Sequence, residues 1–273
     1  MLSNLLRSTS STPTPSPEKT TTISPARQAR ARQTDLTSLS VSNPLLISIS
    51  TALILTSSYL GYQKFGKRIR NVDELILTNK PNKILKLKGF VTSVGDADNF
   101  RFYHKPLFKR FNQVPTKQKD LKGETLHVRL AGIDAPECSH FGKPAQPFSK
   151  EAFDYLNKTL LHKNVTIELY QKDRYSRIVS TCLIRIKKFP YLFLGKRCNV
   201  SEEMLKLGLA TVYRESGAVY GGGDLPGSKK DLEMKIWFEE LEKRAKAKKL
   251  GMWSLGEGKY ESPADYKKRT LKE

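Results

Sequence analysis

Alternating apolar and polar residues predict a set of short β-strands in the middle of the chain. The clearest alternation covers residues 84–94, and runs rich in β-branched and aromatic residues cover 99–103, 126–132, 165–170 and 178–186. Alternation of this kind is typical of a half-buried strand, whose successive side chains point to opposite faces of a sheet. The strands, with helical segments between them, predict an α+β fold in which helices lie outside a small barrel.

Helical periodicity predicts the segments that surround these strands. Residues 148–161 place apolar side chains on one helical face. Ser201 precedes two glutamates, which is typical of a helix start with a capping hydroxyl. A last helix is predicted over 232–249, and the polar residues 104–124 are predicted to form a long surface loop.

Residues 44–62 have a third pattern, in which apolar residues follow one another without any charge. As a helix with a rise of 1.5 Å per residue, this segment extends roughly 28 Å, about the thickness of the hydrocarbon core of a bilayer. It is predicted to be a single transmembrane helix, and a buried helix of a soluble domain is the alternative. Basic residues flank both ends, so the charge distribution does not fix its orientation.

Composition divides the remaining chain into unlike parts. Residues 1–43 form a Ser/Thr/Pro/Arg-rich arm that is expected to be disordered, because it holds too few apolar residues to offset its ordering entropy. The arm is basic and poor in acids, which is typical of a mitochondrial targeting segment, and a plain disordered arm is the alternative. The other predicted parts are a basic juxtamembrane linker (63–82), a folded domain (83–255) and a charged C-terminal tail (256–273).

The charge of the chain favours a polyanionic partner. Its 273 residues include 48 Lys and Arg against 27 Asp and Glu, which gives a formal charge of +21. Such a charge suits nucleic acid or an anionic membrane surface. Three cysteines are too few for a disulfide framework, and their spacing is not that of a zinc site.

The sequence Arg129-LAGIDAPE-Glu137 contains the first group of candidate catalytic residues. Arg129 is followed five residues later by Asp134, and Glu137 comes three residues after that. An extended strand that ends in a tight turn can direct all three side chains into one pocket.

Two further stretches add acids and cations. Asp96 and Asp98 share one strand face, and Arg174 and Arg177 precede another strand. Tyr175, between those arginines, is a candidate stacking surface for a nucleic-acid base. Carboxylates and guanidinium groups without a Cys/His cluster suit a hard cation and a phosphate.

These stretches resemble, in order, the motifs of the thermonuclease family, the staphylococcal-nuclease type. The motifs are VGDADNF, RLAGIDAPE, GKPAQPFSKEA, DRYSR, NVSEEMLKLGLATVYR and AKKLGMWS. The resemblance covers roughly residues 83–255 and implies an OB-fold, a five-stranded β-barrel with flanking helices. With one predicted transmembrane helix before the domain, the chain also resembles the fungal, mitochondrial, membrane-anchored probable endonucleases.

The resemblance implies an activity and its catalytic residues. Arg129, Glu137 and Arg177 align with the catalytic positions of the family, and Arg174 and Tyr175 lie where they can bind substrate. The implied activity is a calcium-dependent endonuclease that hydrolyses DNA and RNA with little sequence specificity and leaves 3′-phosphate ends. The implied location is a mitochondrial membrane, crossed once.

The same resemblance implies a calcium site. Asp98 and Asp134 align with the calcium-binding carboxylates, and the main-chain carbonyl of Ala135 aligns with a further ligand. Asp96 aligns with an acid that lies close to the metal without being a firm ligand.

Three positions depart from the family pattern. Ala97 and Ser176 stand where glycine is usual, and Asn99 stands where threonine is usual. Ala97 and Asn99 can change the direction of the Asp98 side chain, and Ser176 can shift Arg177. Two other functions therefore remain open: a catalytically inactive nucleic-acid-binding module with this fold, and a membrane adaptor.

Overall fold

The computed structural model describes most of the chain. The described residues are 44–78, 84–109, 111–139, 142–186, 196–256 and 259–270. The chain divides into two compact units, Met1–Ser58 and Tyr59–Glu273. The predicted N-terminal arm, residues 1–43, lies outside the described residues.

Helix α1 covers Pro44–Phe65 and contains the predicted transmembrane segment. Its residues Pro44–Gln63 are long and apolar enough to cross a membrane, and the apolar side chains of this segment are exposed. Its hydroxyls bind carbonyl oxygens one turn earlier, as in the 2.7 Å bonds from Thr51 Oγ1 to Ile47 and from Thr56 Oγ1 to Ala52. These bonds satisfy the hydroxyls within the helix and make them compatible with lipid.

Five strands close into a barrel, as the sequence predicts. The strands of the described chain are β1 (Leu85–Asp96), β2 (Asn99–His104), β3 (Leu126–Leu130), β4 (Ile133–Asp134), β5 (Asn164–Lys172), β6 (Ile178–Ile186), β7 (Lys196–Asn199) and β8 (Thr211–Val212). The barrel has the order β3-β2-β1-β5-β6, and a parallel pairing of β3 with β6 closes it. β7 extends the sheet beside β6, and β4 pairs with β8 in a separate two-stranded ladder. The fold class is α+β, an OB-type barrel with flanking helices.

Helices surround this barrel. The described ones after α1 are α2 (Val72–Thr78), α3 (Gln118–Leu121), α4 (Ser149–Leu160), α5 (Val200–Lys206), α6 (Lys229–Ala247) and α7 (Pro263–Thr270). Phe100 and Phe102 of β2 and Leu156 and Leu160 of α4 are fully buried. Burial of each such side chain contributes roughly 1.5–3 kcal/mol, so the apolar alternation read from the sequence produces one shared core.

The predicted capping role of Ser201 is wrong. The N-cap of α5 is Asn199, whose Oδ1 accepts the Ser201 main-chain N–H at 3.0 Å. Ser201 lies inside the first turn, and its hydroxyl donates to the carbonyl of Ala131 at 3.0 Å. The side chain therefore joins α5 to the end of β3 instead of starting the helix.

Part of the predicted juxtamembrane linker packs against the barrel. Arg68 Nη1 lies 2.6 Å from Glu124 Oε2, and its guanidinium lies 3.6 Å from the ring centroid of Tyr103. Ile69 is 4% exposed, and its main-chain N–H donates to His104 Nδ1 at 3.0 Å. The chain thus joins the barrel at the last residue of β2.

Part of the predicted charged tail also belongs to the domain. Helix α7 begins at Pro263 and ends at Thr270, and its Tyr266 is buried. The Tyr266 hydroxyl donates to the carbonyl of Pro144, and the Lys143 ammonium donates to the carbonyl of Thr270. Helix α7 is therefore fixed against the loop that precedes α4.

Candidate active site

Strand pairing brings the predicted residues of three segments together at one end of the barrel. Asn99, the first residue of β2, is paired with Arg129 of β3. The carbonyl of Asp98 accepts the N–H of Leu130 at 2.9 Å, so Asp98 lies beside Arg129. Asp134 is placed by the short β4–β8 ladder, in which it pairs with Thr211.

Arg129 joins the two aspartates. Its Nη1 lies 2.7 Å from Asp98 Oδ2, and its Nη2 lies 2.9 Å from Asp134 Oδ1. The three side chains are only 12%, 8% and 5% exposed, respectively. Buried charges are tolerated when they are paired and hydrogen-bonded, and the planar guanidinium satisfies both acids at once.

The electrostatics of this group follow from its burial and its pairing. Burial acts to raise the pKa of Asp98, but the guanidinium of Arg129, followed by more distant cations, holds that pKa below its usual value. Burial acts to lower the pKa of Arg129, but Asp98 and Asp134 raise it above its usual value. The contact between Asp98 and Arg129 is therefore between charged groups at neutral pH.

Glu137 lies at the edge of the same pocket. A buried glutamine fixes its main chain, since Gln146 Oε1 accepts the N–H of Glu137 at 2.8 Å and the Gln146 N–H donates to the Glu137 carbonyl at 2.9 Å. Its carboxylate is 26% exposed and lies 2.8 Å from Lys267 Nζ. Burial raises the pKa of Glu137, and the ammonium of Lys267 opposes part of that rise.

Arg177 is positioned by a tight turn that begins at Asp173. Asp173 Oδ2 lies 2.7 Å from Arg177 Nε, and Asp173 Oδ1 accepts the main-chain N–H of Arg177 at 2.9 Å. Ser176 has a φ of 58° in this turn. Left-handed backbone favours glycine, which explains why glycine is usual in the family at this position.

Arg174 and Tyr175 lie at the exposed tip of that turn. Tyr175 is 63% exposed. The guanidinium carbons of Arg174 and Arg177 lie 4.9 and 5.2 Å from its ring centroid. This aromatic ring with two adjacent cations has the composition of a surface that stacks on bases and contacts phosphates.

Lys267 is a functional candidate that the sequence analysis did not find. Its Nζ lies 2.9 Å from Asp134 Oδ1 and 3.2 Å from Asp134 Oδ2, in addition to its contact with Glu137. The residue lies on α7, in the segment that composition assigns to a charged tail.

Known proteins are similar to this chain over most of its length. The family model described as "Staphylococcal nuclease homologue" matches residues 127–255. A curated protein of Candida dubliniensis, named "Probable endonuclease LCL3", is 40% identical over 240 residues, which cover 85% of this chain and 93% of that protein.

This chain belongs to the staphylococcal nuclease family.

Other relatives carry the same name. The protein of Schizophyllum commune is 40% identical, over 80% of this chain and 72% of that protein. The protein of Coccidioides posadasii is 44% identical, over 82% of this chain and 71% of that protein. The similarity extends beyond residues 127–255, the range that the family model covers.

The donor atoms of this staphylococcal nuclease homologue fit a hard cation in chemical type. Asp98 and Asp134 supply buried carboxylate oxygens beside the buried Ala135, and oxygen donors are those that calcium takes. The described residues contain no group of three or more His, Cys, Asp or Glu that could hold a metal ion. Carbonyl, water or phosphate oxygens would therefore complete the coordination of a cation held by these two carboxylates.

The departures from the family pattern near Asp98 leave its carboxylate in place. Ala97 is buried, and its N–H donates to Asp96 Oδ1 at 2.8 Å. Asn99 Nδ2 donates to Asp98 Oδ1 at 3.2 Å, and Asn99 Oδ1 lies 3.1 Å from His127 Nε2. Asn99 thus supports one oxygen of Asp98 with an amide, while Arg129 binds the other.

Proposed function

We propose that this chain is a calcium-dependent endonuclease that hydrolyses phosphodiester bonds of DNA and RNA with little sequence specificity. The single observation that carries the proposal is the buried bridge from Arg129 to Asp98 and Asp134. A module that only binds nucleic acid has no need of acids and a guanidinium assembled in this way. Membership of the staphylococcal nuclease family and the name of the relatives support the same reaction.

The arginines suit the charge that develops in phosphodiester hydrolysis. Attack on phosphorus places negative charge on the equatorial oxygens, which planar guanidinium groups stabilise. The described contact of the Arg177 guanidinium with Asp173 uses Nε, so its two terminal nitrogens are assigned to the phosphate. A divalent cation held by Asp98, Asp134 and the Ala135 carbonyl would supply further stabilisation of this charge.

Glu137 is assigned to the proton of the attacking water. Its pKa is raised by burial, which strengthens it as a base relative to an exposed glutamate. Gln146 holds its main chain on both sides, so that the carboxylate is directed from a fixed support. Water attacks phosphorus as the P–O5′ bond breaks, the 5′ oxygen leaves with a proton from solvent, and the 3′-phosphate that the family resemblance implies remains.

Substrate binding is assigned to the exposed turn beside the site. Arg174 supplies a phosphate contact, and Tyr175 supplies a face for stacking. Neither group distinguishes one base from another, because every base has a π-face and every nucleotide has a phosphate. The proposed activity is therefore broad.

Helix α1 is assigned to a membrane, as a single span. The basic, acid-poor composition of residues 1–43 supports a mitochondrial address. In this proposal, the nuclease domain acts beside a mitochondrial membrane.

The test is a cleavage assay on the full chain in detergent. Single-stranded DNA and RNA are incubated with calcium, and then with an excess of chelator. The double variant Arg129→Ala/Glu137→Ala removes the proposed chemistry. Arg185→Ala is the matched control, because Arg185 is an exposed arginine in β6.

Calcium-dependent cleavage that the double variant lacks and Arg185→Ala retains would support the proposal. Salt-sensitive DNA binding without cleavage would assign the chain to a nucleic-acid-binding module instead. Neither cleavage nor binding would favour a membrane adaptor.

A further inference from the structure

Lys267 occupies the acidic pocket as a cation of the chain itself. Its ammonium contacts both carboxylate oxygens of Asp134 and one of Glu137, at 2.8–3.2 Å. One proposed calcium ligand and the proposed base are thus held by the same positive group.

The loop that supports Glu137 also holds the segment that carries Lys267. Gln146 Oε1 accepts the Glu137 N–H, and Gln146 Nε2 donates to the carbonyl of Glu261 at 3.3 Å. In the same loop, the carbonyl of Pro144 accepts the Tyr266 hydroxyl. The position of the Lys267 backbone is therefore built into the packing of the domain.

Arg129 and Lys267 both contact Asp134, and Lys267 is the one that can leave. Arg129 is 12% exposed and anchored in a barrel strand by contacts with two aspartates. Lys267 is 38% exposed and lies on a short helix outside the barrel. A lysine ammonium on a flexible four-carbon stem can swing away from its partners more readily than a guanidinium bound by both nitrogens.

We infer that Lys267 determines the affinity of the site for divalent cations by competing for Asp134. This inference rests on the proposed function, because it takes Asp134 as a calcium ligand. An ammonium that contacts both oxygens of Asp134 takes lone pairs and space that a metal ion on that carboxylate would use. Two positive groups on one carboxylate also repel each other, more strongly in a buried site than in water.

The experiment measures calcium binding to the full chain in detergent by isothermal titration calorimetry, without substrate. Lys267→Gln removes the ammonium and keeps a polar side chain. Lys268→Gln is the matched control, since Lys268 is the next residue of α7, is 67% exposed and has its ion pair with Glu215 at 3.8 Å. Lys267→Gln should tighten calcium binding roughly tenfold, and Lys268→Gln should change it less than twofold.

A second variant covers the case in which Lys267→Gln does not fold. Tyr266→Phe keeps every charge and removes only the hydroxyl that binds the Pro144 carbonyl. Loosening α7 in this way should tighten calcium binding about twofold to fivefold, because the helix then holds the Lys267 ammonium less firmly on Asp134.

Unchanged or weaker calcium binding by Lys267→Gln would overturn the inference, as would an equal gain in Lys268→Gln. Such results would leave the proposed function intact if the wild-type chain binds calcium and cleaves DNA. Absence of calcium binding in all forms would instead overturn the calcium site on which both proposals rest.

Discussion

Asp173 binds Arg177 through both carboxylate oxygens, at 2.9 Å to its main-chain nitrogen and 2.7 Å to Nε. Under the proposed function, Asp173 is therefore a positioning residue, and Asp173→Asn should lower kcat about tenfold, the equivalent of 1.4 kcal/mol. In a chain that already carries Arg177→Ala, Asp173→Asn should lower kcat almost no further, since Asp173 acts through Arg177. Additive losses in the double variant would show that Asp173 has another role.

Arg177 itself should contribute more to turnover. Arg177→Ala removes a stabiliser of transition-state charge, and we expect kcat to fall by roughly 10²–10³. Arg177→Lys should restore little, because an ammonium does not reproduce a planar two-oxygen contact. Steady-state cleavage rates measure kcat for each variant, with Arg185→Ala as the control. A loss of kcat below threefold in Arg177→Ala would show that Arg177 is not part of the mechanism.

Arg129 should matter for stability as well as for activity. Arg129→Ala leaves Asp98 without its salt bridge in a site where its carboxylate is only 8% exposed. Removing one partner of a buried ion pair costs about 3–5 kcal/mol. Denaturant unfolding without added metal measures the loss, and Arg185→Ala should stay within about 0.5 kcal/mol of wild type. Equal stabilities would mean that the aspartates do not depend on Arg129.

His104 should make the domain less stable in mild acid. Burial, and after it the nearby Arg68, lower its pKa to about 4, whereas an unfolded histidine titrates near 6.5. Between these two pKa values, only the unfolded chain takes up the proton. The contribution of His104 to the free energy of unfolding is therefore present in full above pH 6.5, and it decreases as the pH falls towards 4. This contribution is about 3 kcal/mol.

The measurement for His104 is denaturant unfolding at pH 5 and pH 7.5. His104→Gln keeps a side-chain acceptor for the Ile69 N–H and should reduce the difference in stability between the two pH values. His127, whose pKa is also lowered to about 4, should still contribute, so part of the difference remains. An unchanged difference would exclude His104 as its source.

The proposed membrane span makes a separate prediction. Replacement of Ile54, near the middle of the apolar segment, by lysine should cost roughly 2.5–3.5 kcal/mol of insertion free energy. The full chain should resist extraction from membranes by alkaline carbonate, and Ile54→Lys should increase the extracted fraction. The control Lys67→Gln lies outside the segment and should not. Complete extraction of the wild-type chain would argue against the span.

The strands of the barrel could be predicted from the sequence because the pattern that identifies each strand lies within that strand. Alternation of apolar residues along one strand identifies that strand, whatever it pairs with. The spacing of Arg129, Asp134 and Glu137 was equally visible, since all three lie within nine residues of one another. For these residues, the structure adds the distances between their side-chain atoms and the extent of their burial.

Helix α7 was not predictable by these means. It has eight residues, and most of them are polar or charged. Its place depends on contacts with residues more than 100 positions earlier, such as Lys267 with Asp134 and Tyr266 with Pro144. A pattern within a short charged segment contains no information on a partner so distant in sequence. The role proposed for Asp173 was equally unpredictable, because it depends on side-chain contacts within a turn.

Under the proposed membrane anchoring, the docking of Arg68 and Ile69 on the barrel limits how far the domain can extend from the bilayer. Only residues 64–67 separate the apolar segment from Arg68. The first two of them continue helix α1, and even four fully extended residues span no more than about 13–14 Å. A nuclease attached by so short a connection would act only within a thin layer beside its membrane. Nucleic acid passing through that layer would be cut, and the same polymer a few nanometres deeper in solution would remain intact.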